Sequence, residues 1–212
     1  GIKVFRTVGV LNQAVAELTL GVILSALRHI PLQDRQTRNG IWKKQMGRLL
    51  AGKTVGIIGF GEIGQCLGRI IHSIGGSIHF YDTMDIKTGW ANQVNMDEIL
   101  SKSDIISLHA SGGDKILGES AFSKIIRPGV IIVNMARGGL IDEKSLFQFL
   151  KSDPKAYACL DVFENEPYSG DLTELDNVVL TSHIGSYAKE ARIEMEKMAV
   201  DNLLKGFAQT NG

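Results

Sequence analysis

The sequence predicts an α/β fold with a doubly wound parallel sheet, because apolar runs and helical segments alternate regularly after Lys53. The apolar runs, rich in β-branched residues, lie at 54–60, 77–82, 104–110, 129–136, 156–162 and 178–183. Segments of helical periodicity lie at 63–74, 96–102, 119–126 and 143–152, and a long amphipathic helix is predicted at 187–207. Continuous apolar strands separated by helices are typical of a parallel sheet that is covered on both faces.

Three further elements are predicted before this alternation. Residues 1–5 (GIKVF) are expected to form one short strand. Residues 13–30 form a predicted helix that is apolar on more than one face, as expected of a helix buried between layers or subunits. The following polar, irregular run at 31–51 is expected to be an extended arm across a surface. Its isolated bulky residues are Ile41, Trp42, Leu49 and Leu50.

Composition and charge argue against several classes of protein. With 212 residues, 44% apolar and 22% charged, the chain has the composition of an ordinary globular protein. Its formal net charge is zero, so we expect neither nucleic acid nor a membrane as a partner. The longest apolar run, 18–27, is too short to cross a bilayer. Cys66 and Cys159 stand alone, which argues against a disulfide scaffold or a metal site and favours a reducing cytoplasm.

The stretch VGIIGFGEIG (55–64) places Gly59, Gly61 and Gly64 between the first strand of the alternation and the next helix. The spacing alone is a weak signal, but at this position the glycines permit a tight turn, close approach of a pyrophosphate and close helix packing. Asp82 ends the second strand, where a carboxylate binds the adenosine ribose and repels the 2′-phosphate of NADP. The alternative is a tight turn beside a surface aspartate. Together the features favour a Rossmann domain that binds NAD.

Four polar side chains at the ends of later strands form a complete set for carbonyl reduction. They are Arg137, Asp161, Glu166 and His183. Ligands of open α/β sheets bind beyond the carboxyl ends of the strands, so these side chains could converge on one crevice. An arginine can hold a carboxylate and polarise a carbonyl, and a histidine can donate a proton while a carboxylate orients its ring. Taken singly, Arg137 could be a surface arginine and His183 a structural histidine.

These motifs resemble those of the D-isomer-specific 2-hydroxyacid dehydrogenase family over nearly the whole chain. The resemblance is carried by VAELTLG (15–21), LAGKTVGIIGFGEIG (50–64), VNMARGGLIDEKSL (133–146), LDVFENEP (160–167) and NVVLTSHIG (177–185). It implies that Arg137 binds the substrate carboxylate and carbonyl and that His183 is the acid/base. Glu164 and Glu166 compete for the place beside the histidine, and the family's motif favours Glu166.

The resemblance also implies a set of residues around an NAD cofactor. The pyrophosphate turn would consist of Gly59, Gly61, Glu62, Ile63 and Gly64, with Asp82 on the ribose. Asp161 would face the nicotinamide carboxamide, and the backbone at His109, Ala110 and Ala136 would line the cofactor. Two features depart from the family's pattern. The run HASGG (109–113) lacks a proline that is often present, and Met135 replaces a small residue, so that it either narrows the site or packs inward.

The domain organisation implied by the resemblance is a cofactor-binding domain without its substrate domain. Residues 1–12 would be a remnant of the hinge to that domain, and 13–50 a dimerisation helix and arm. The NAD-binding Rossmann domain would cover 51–207, followed by a tail at 208–212. Because the segment 13–50 makes the dimer interface in the family, we expect a homodimer.

Two classes of function are compatible with these residues. The first is an NAD-dependent oxidoreductase that interconverts a D-2-hydroxy acid and its 2-oxo acid, with phosphoglycerate favoured as substrate on overall similarity alone. The second is a non-catalytic module that binds NAD(H) and dimerises, as in corepressors that resemble this family. The set Arg137, Glu166 and His183 favours the enzyme, although the isolated domain could be inactive.

Overall fold

The computed structural model describes residues 4–208 and contains a seven-stranded sheet in which every neighbouring pair of strands is parallel. Its strands are β1 (Thr54–Ile58), β2 (Ser77–Tyr81), β3 (Asn92–Gln93), β4 (Ile105–Leu108), β5 (Ile131–Asn134), β6 (Tyr157–Leu160) and β7 (Val178–Leu180). The order across the sheet is β3-β2-β1-β4-β5-β6-β7, so the direction of winding reverses between β1 and β4. This topology confirms the predicted doubly wound sheet.

Seven α-helices connect and flank the strands within the described residues. They are α1 (Asn12–Leu27), α2 (Ile30–Arg38), α3 (Glu62–Ser73), α4 (Met96–Lys102), α5 (Glu119–Phe122), α6 (Glu143–Ser152) and α7 (Lys189–Ala208). Two short 3-10 turns lie at Gly138–Leu140 and Asp171–Glu174. Within residues 4–208 no single helix is long and apolar enough to cross a membrane. The pair α1 and α2 meets that test only when joined across a bend of 61°.

The sheet separates two hydrophobic cores, one on each face. Successive residues of each central strand point to opposite faces, so Ile57 packs into the core under α1 and α3, whereas Ile58 packs into the core under α4 to α6. Ile105 and Ile106 of β4 divide in the same way. Burial on both faces explains why these strands are continuous apolar runs in the sequence.

Helix α1 is buried because it packs across the sheet face that also carries α3. Ala16, Ile23 and Ala26 are fully buried, and with Val15 and Leu27 they form part of the first core. The predicted apolarity of this helix on more than one face therefore has an explanation within one chain, since the same segment contacts both the sheet and α3.

The prediction of an extended arm from residue 31 is wrong for its first part. Residues 31–38 lie in α2, which Pro31 can begin because a proline is tolerated in the first helical turn. An i,i+4 ion pair at 2.9 Å between Arg38 and Asp34 also favours the helix. The rest of the arm has no helix or strand; Trp42 is exposed as expected, but Leu50 is buried in the first core.

Other differences lie at element ends and in short elements. Val4 and Phe5 are not in a strand, and the rest of the predicted strand 1–5 lies outside the described residues. The edge strand β3 is only two polar residues long, which gives no apolar pattern to detect. The predicted helix at 119–126 ends at Phe122. Helix α7 extends to Ala208, and the rest of the predicted tail at 208–212 lies outside the described residues.

The N-terminus of α6 provides a test of how one carboxylate stabilises the fold. Asp142 caps the helix by accepting a hydrogen bond from Ser145 N at 2.8 Å, and it pairs with Lys115 Nζ at 2.5 Å. The Lys115 ammonium, with the helical N–H, lowers the pKa of Asp142 from 3.8 to about 2. A carboxyl whose pKa is lowered by folding stabilises the fold above its unfolded pKa, and this contribution disappears as the pH falls through the folded value.

We expect Asp142→Asn to be less stable than the wild type at neutral pH, because the amide keeps a cap acceptor but loses the ion pair. The difference should shrink as the pH falls from 3.8 towards about 2. The free energy of unfolding of Asp142→Ala should be about 1 kcal/mol lower than that of Asp142→Asn at every pH, since alanine also removes the cap. Urea unfolding of the three proteins across this pH range measures both effects. A constant difference between wild type and Asp142→Asn would contradict the assigned ion pair.

Candidate active site

The turn between β1 and α3 lies at the carboxyl edge of the sheet, where its winding reverses. Gly59 has φ +89°, and a Cβ there would lie 2.6 Å from Ala110 N, so both conformation and space require glycine. A Cβ at Gly64 would overlap Gly59 O, which explains the close packing of α3. At Gly61, by contrast, a Cβ would meet no atom within 4 Å. The turn is therefore closed on the side of the sheet and open at the N-terminus of α3.

Asp82 follows β2 and is held against this turn. One carboxylate oxygen accepts a hydrogen bond from Phe60 N at 2.7 Å, and the other accepts one from Met84 N at 3.0 Å. Each carboxylate oxygen can accept a second hydrogen bond, so acceptor capacity remains for the hydroxyls of a ribose. The side chain thus stands where the sequence prediction requires it, although its contact with a ribose stays a prediction.

The side chains of Glu62 and Ile63 are directed away from the open part of the turn. Glu62 Oε2 accepts a hydrogen bond from Asn12 Nδ2 at 2.8 Å, and Ile63 packs against the first core. Both residues lie in the first turn of α3, whose N–H groups have no partner within the helix. Their backbone N–H groups, rather than their side chains, are therefore suited to bind the predicted pyrophosphate.

The loop after β4 forms the other side of this crevice. His109 N donates to Ile58 O at 2.7 Å, which joins the loop to the end of β1, and His109 Nε2 lies 2.8 Å from Ser107 Oγ. Burial lowers the pKa of His109 from 6.5 to about 4, so the ring is neutral at neutral pH. Its Nδ1 is buried without a hydrogen-bond partner among the described residues. His109 and Ala110 thus line the crevice beside Gly59.

Arg137 follows β5 in a loop that buried side chains hold in place. Asn134, which is 1% exposed, accepts a hydrogen bond from Ala136 N at 3.1 Å and donates one to Arg137 O at 2.8 Å. The Arg137 side chain is exposed and donates to Ala136 O at 2.6 Å. In the part of the chain that the structure describes it makes no ion pair, so its guanidinium can bind an anionic ligand.

The loops after β5 and β6 are packed directly against each other. A Cβ at Gly138 would overlap the backbone of Phe163, so the two loops can approach this closely only because residue 138 is glycine. This contact brings the backbone beside Arg137 next to the segment 163–166. Met135 is 7% exposed and belongs to the first core, so it packs inward instead of narrowing the crevice.

His183 and Glu166 form a hydrogen-bonded pair with 2.8 Å between His183 Nδ1 and Glu166 Oε2. The other carboxylate oxygen accepts a hydrogen bond from Phe163 N at 3.1 Å. The bond to His183 lowers the pKa of Glu166, which keeps this carboxyl ionised. Glu164 is not the partner: its carboxylate lies 3.7 Å from Lys115 Nζ. The pair leaves His183 Nε2 available for a substrate.

Asp161 lies deeper than the other candidate residues. It is 1% exposed and accepts hydrogen bonds from the Thr181 hydroxyl and from the backbone N–H groups of Ile184 and Gly185. Its predicted contact with the nicotinamide carboxamide stays a prediction. Asn134 and Thr181, which hold the two loops, are not among the residues predicted from the sequence. Their only signal in the sequence is a polar side chain at the end of an apolar strand.

A pocket of about 630 Å³ lies beside the histidine–glutamate pair. Its walls include Phe163, Tyr168 and Leu180, together with His183 and Glu166 themselves. Among residues 4–208, no group of three or more His, Cys, Asp and Glu side chains is arranged to hold a metal ion. The described geometry is thus that of a dinucleotide-binding α/β domain with a histidine–carboxylate pair at the same edge of the sheet.

Comparison with known proteins identifies the family. Residues 20–185 match the family model described as D-isomer specific 2-hydroxyacid dehydrogenase, NAD binding domain. The chain therefore belongs to the D-isomer specific 2-hydroxyacid dehydrogenase family and contains its NAD-binding domain, which confirms the resemblance inferred from the motifs.

Individual relatives agree with this assignment. The chain is 38% identical over 222 residues to a glyoxylate reductase of Thermococcus litoralis, a match that covers 96% of this chain and 66% of the relative. It is 36% identical over 226 residues to a D-3-phosphoglycerate dehydrogenase of Archaeoglobus fulgidus, covering 100% of this chain and 42% of the relative. The chain therefore spans only part of the length of these proteins.

A solved structure with a related name also matches the fold. A glyoxylate reductase structure from Paecilomyes thermophila superimposes with a TM-score of 0.87 and 35% sequence identity. The similarity covers 93% of this chain and 62% of that one. The predicted Rossmann domain is thus confirmed both by its topology and by its structural relatives.

Substitutions at two glycines of this turn should affect protein stability and cofactor binding separately. Gly64→Ala should lower the free energy of unfolding by about 1–3 kcal/mol, because its Cβ would overlap backbone. Gly61→Ala should change stability by less than about 1 kcal/mol, since the position is open and its φ of −70° suits alanine. Its methyl group would nevertheless enter the open turn and weaken NADH binding about tenfold or more.

Urea unfolding measures the stability of both variants, and calorimetric titration with NADH measures binding. Gly61→Ala is the decisive variant, because a folding defect does not account for a loss of binding there. Wild-type affinity in a folded Gly61→Ala protein would show that the open turn is not where the dinucleotide lies.

Proposed function

We propose that the protein containing this chain is an NAD-dependent oxidoreductase that interconverts a D-2-hydroxy acid and its 2-oxo acid. The observation that carries the proposal is the His183–Glu166 pair, which lies at the same edge of the sheet as the open glycine turn. Membership of the dehydrogenase family supports the same reaction.

The cofactor proposed is NAD, held by the N-terminus of α3 and by Asp82. The open space at Gly61 and the remaining acceptor capacity of Asp82 support a dinucleotide at this place. A carboxylate at this place repels the 2′-phosphate of NADP, so NAD is preferred. When bound at this place, NAD would supply the redox chemistry, a hydride for C2 of the 2-oxo acid or an acceptor for the hydride of the 2-hydroxy acid.

His183 is proposed to move the proton that accompanies this hydride. Because Nδ1 is bound to Glu166, the proton on Nε2 of the imidazolium can pass to the carbonyl oxygen as C2 becomes a hydroxyl-bearing carbon. The ionised Glu166 stabilises the imidazolium before the transfer and fixes the ring afterwards. Arg137 is proposed to bind the substrate carboxylate and to polarise the carbonyl.

The substrate class proposed is a short 2-hydroxy or 2-oxo acid. Among the relatives named above are a glyoxylate reductase and a D-3-phosphoglycerate dehydrogenase, so glyoxylate and phosphoglycerate are both candidates. Both relatives are longer than this chain, and we propose that the segments beyond it complete the substrate cleft, with residues 1–12 as the hinge. The free Cys66 and the buried Cys159 support a reducing cytoplasm as the location.

The alternative function is a module that binds NAD(H) and dimerises without turnover. Both functions need the glycine turn and Asp82, but only the enzyme needs Arg137, Glu166 and His183. Because Glu166 contacts His183 and Arg137 makes no ion pair within residues 4–208, the geometry favours the enzyme.

We further propose that the helix and arm at 13–50 form the interface of a homodimer, with 51–207 as the NAD-binding domain. Trp42, Met46 and Leu49 are 86%, 94% and 71% exposed, which is unusual for large apolar side chains close together in sequence. A second copy of the chain is the proposed cover for these residues.

The reaction can be tested in the full-length protein that contains this chain. We expect NADH-dependent reduction of glyoxylate or of 3-phosphohydroxypyruvate, with NADPH much less effective. His183→Gln should reduce kcat about 10²–10⁴-fold, as loss of a general acid does. Arg137→Lys should mainly raise KM, because an ammonium does not form the paired contacts of a guanidinium with a carboxylate.

His72→Gln is the matched control, since His72 is exposed on α3 and should leave kcat unchanged. Tight NADH binding with no turnover of either acid by the folded protein would favour the binding module. Full activity of His183→Gln would overturn the proposed acid/base.

The dimer can be tested on the chain itself by sedimentation velocity. Trp42→Glu should shift the protein towards a monomer, because a charged side chain would be buried in the proposed interface. Ile126→Glu is the matched control: Ile126 is 72% exposed and lies outside residues 13–50. A monomeric wild type, or equal effects of the two substitutions, would contradict the proposed interface.

A further inference from the structure

The backbone of His183 has a conformation that L-amino acids disfavour. Its φ is +54°, and among residues 4–208 only His29 shares a positive φ without being glycine. The left-handed region is unfavourable for residues with a Cβ, so it persists only where neighbouring interactions impose it. The observation therefore calls for a group that holds the loop after β7.

Asp161 is that group, because it binds the loop on both sides of His183. Asp161 Oδ1 accepts hydrogen bonds from Thr181 Oγ1 at 2.6 Å and from Ile184 N at 2.8 Å. Asp161 Oδ2 accepts one from Gly185 N at 2.7 Å. The donors precede and follow His183 in the chain, so the carboxylate closes the loop around the strained residue.

The Asp161 side chain that holds this loop has little conformational freedom. Asp161 directly follows β6 and is 1% exposed, so its carboxylate is removed from solvent and depends on these donors. Gly185 is buried, and a Cβ there would lie 3.0 Å from Asp161 Oδ2. The loop is therefore tightly packed against the carboxylate at Gly185. The Thr181 hydroxyl is the only one of the three donors that belongs to a side chain, and so a substitution can remove it.

We infer that Thr181 is a positioning residue for His183, acting through Asp161. By completing the ring of donors around the carboxylate, its hydroxyl holds His183 in the left-handed conformation that directs Nδ1 to Glu166. This sets which ring nitrogen carries the proton: Nδ1 donates to the carboxylate, and Nε2 is left for the substrate. The chemical use of that arrangement rests on the function proposed above, whereas the arrangement itself does not.

This role also bears on the predicted place of Asp161 beside the nicotinamide. A carboxylate has about four acceptor positions, and three are already filled by the loop. Asp161 is thus first a support for the histidine loop, and any contact with a cofactor would use the remaining position on Oδ2.

The tautomer of His183 provides a test that needs neither substrate nor cofactor. The ¹⁵N chemical shifts of the ring, read through its carbon-bound protons in the neutral form, report which nitrogen carries the proton. We expect the wild type to hold the proton on Nδ1. Thr181→Val, which keeps the shape but removes the hydroxyl, should lower the ratio of the Nδ1–H to the Nε2–H form about fivefold, the effect of losing one ordinary hydrogen bond.

Further variants make the outcome decisive. Thr181→Ser restores the hydroxyl and should restore the wild-type ratio. Thr173→Val is the matched control, because Thr173 lines the same pocket but donates to Gly170 O at 2.8 Å and not to Asp161. Gly185→Ala should disturb the ratio from the other end of the loop. If Thr181→Val does not fold, Thr181→Ala removes the same hydroxyl and decides the outcome.

An unchanged ratio in Thr181→Val would overturn the inference. Equal changes in Thr181→Val and Thr181→Ser would also overturn it, because the serine keeps the hydroxyl. In the full-length protein, Thr181→Val should lower kcat and leave KM for NADH unchanged, with recovery in Thr181→Ser. If that protein has no activity at all, the proposed function fails, but the tautomer ratios still decide the role of Thr181.

Discussion

The close backbone contact between Gly59 and the residues after β4 is the constraint on which the crevice depends. At this point the direction of winding reverses, so β1 and β4 lie side by side and their following loops must diverge. Gly59 has φ +89°, and a Cβ there would collide with the backbone at Ala110. Only glycine therefore allows the loop after β1 to pass so close to the loop after β4. The open N-terminus of α3 and the placement of Asp82 against Phe60 N both follow from this turn.

The second half of the crevice is built by a different physical means. Here the loops are held by buried polar side chains: Asn134 binds the backbone of Ala136 and Arg137, and Asp161 binds the loop that contains His183. Buried polar groups are costly unless paired, so each of these side chains fixes the conformation of the backbone that satisfies it. The exposed Arg137 and His183 thus stand on loops with little freedom of their own.

Much of this architecture could be predicted because burial on both faces leaves a continuous apolar signal in each central strand. The helix α2 was missed because its sequence is polar, and its stability comes from a proline in the first turn and an ion pair that periodicity does not register. The family's motif already favoured Glu166 over Glu164, and in the structure it is Glu166 that contacts His183. The supporting role of Thr181 needed the structure, because it depends on which loops meet in space. The chemical roles of Arg137, Glu166 and His183 stay predictions.

The candidate site residues divide the sheet into two halves with different functions. The groups suited to the pyrophosphate and the adenosine ribose follow β1 and β2, whereas Arg137, Glu166 and His183, which are suited to a reaction, follow β5, β6 and β7. The two halves are joined by the pairing of β4 with β5. The loops of the first half are held by the Gly59 turn and Asp82, and those of the second half by Asn134 and Asp161. A lineage with this scaffold can therefore change its nucleotide preference through a few substitutions around residue 82 while the reacting groups keep their geometry. Such modularity makes the domain a favourable starting point for the divergence and the engineering of cofactor use.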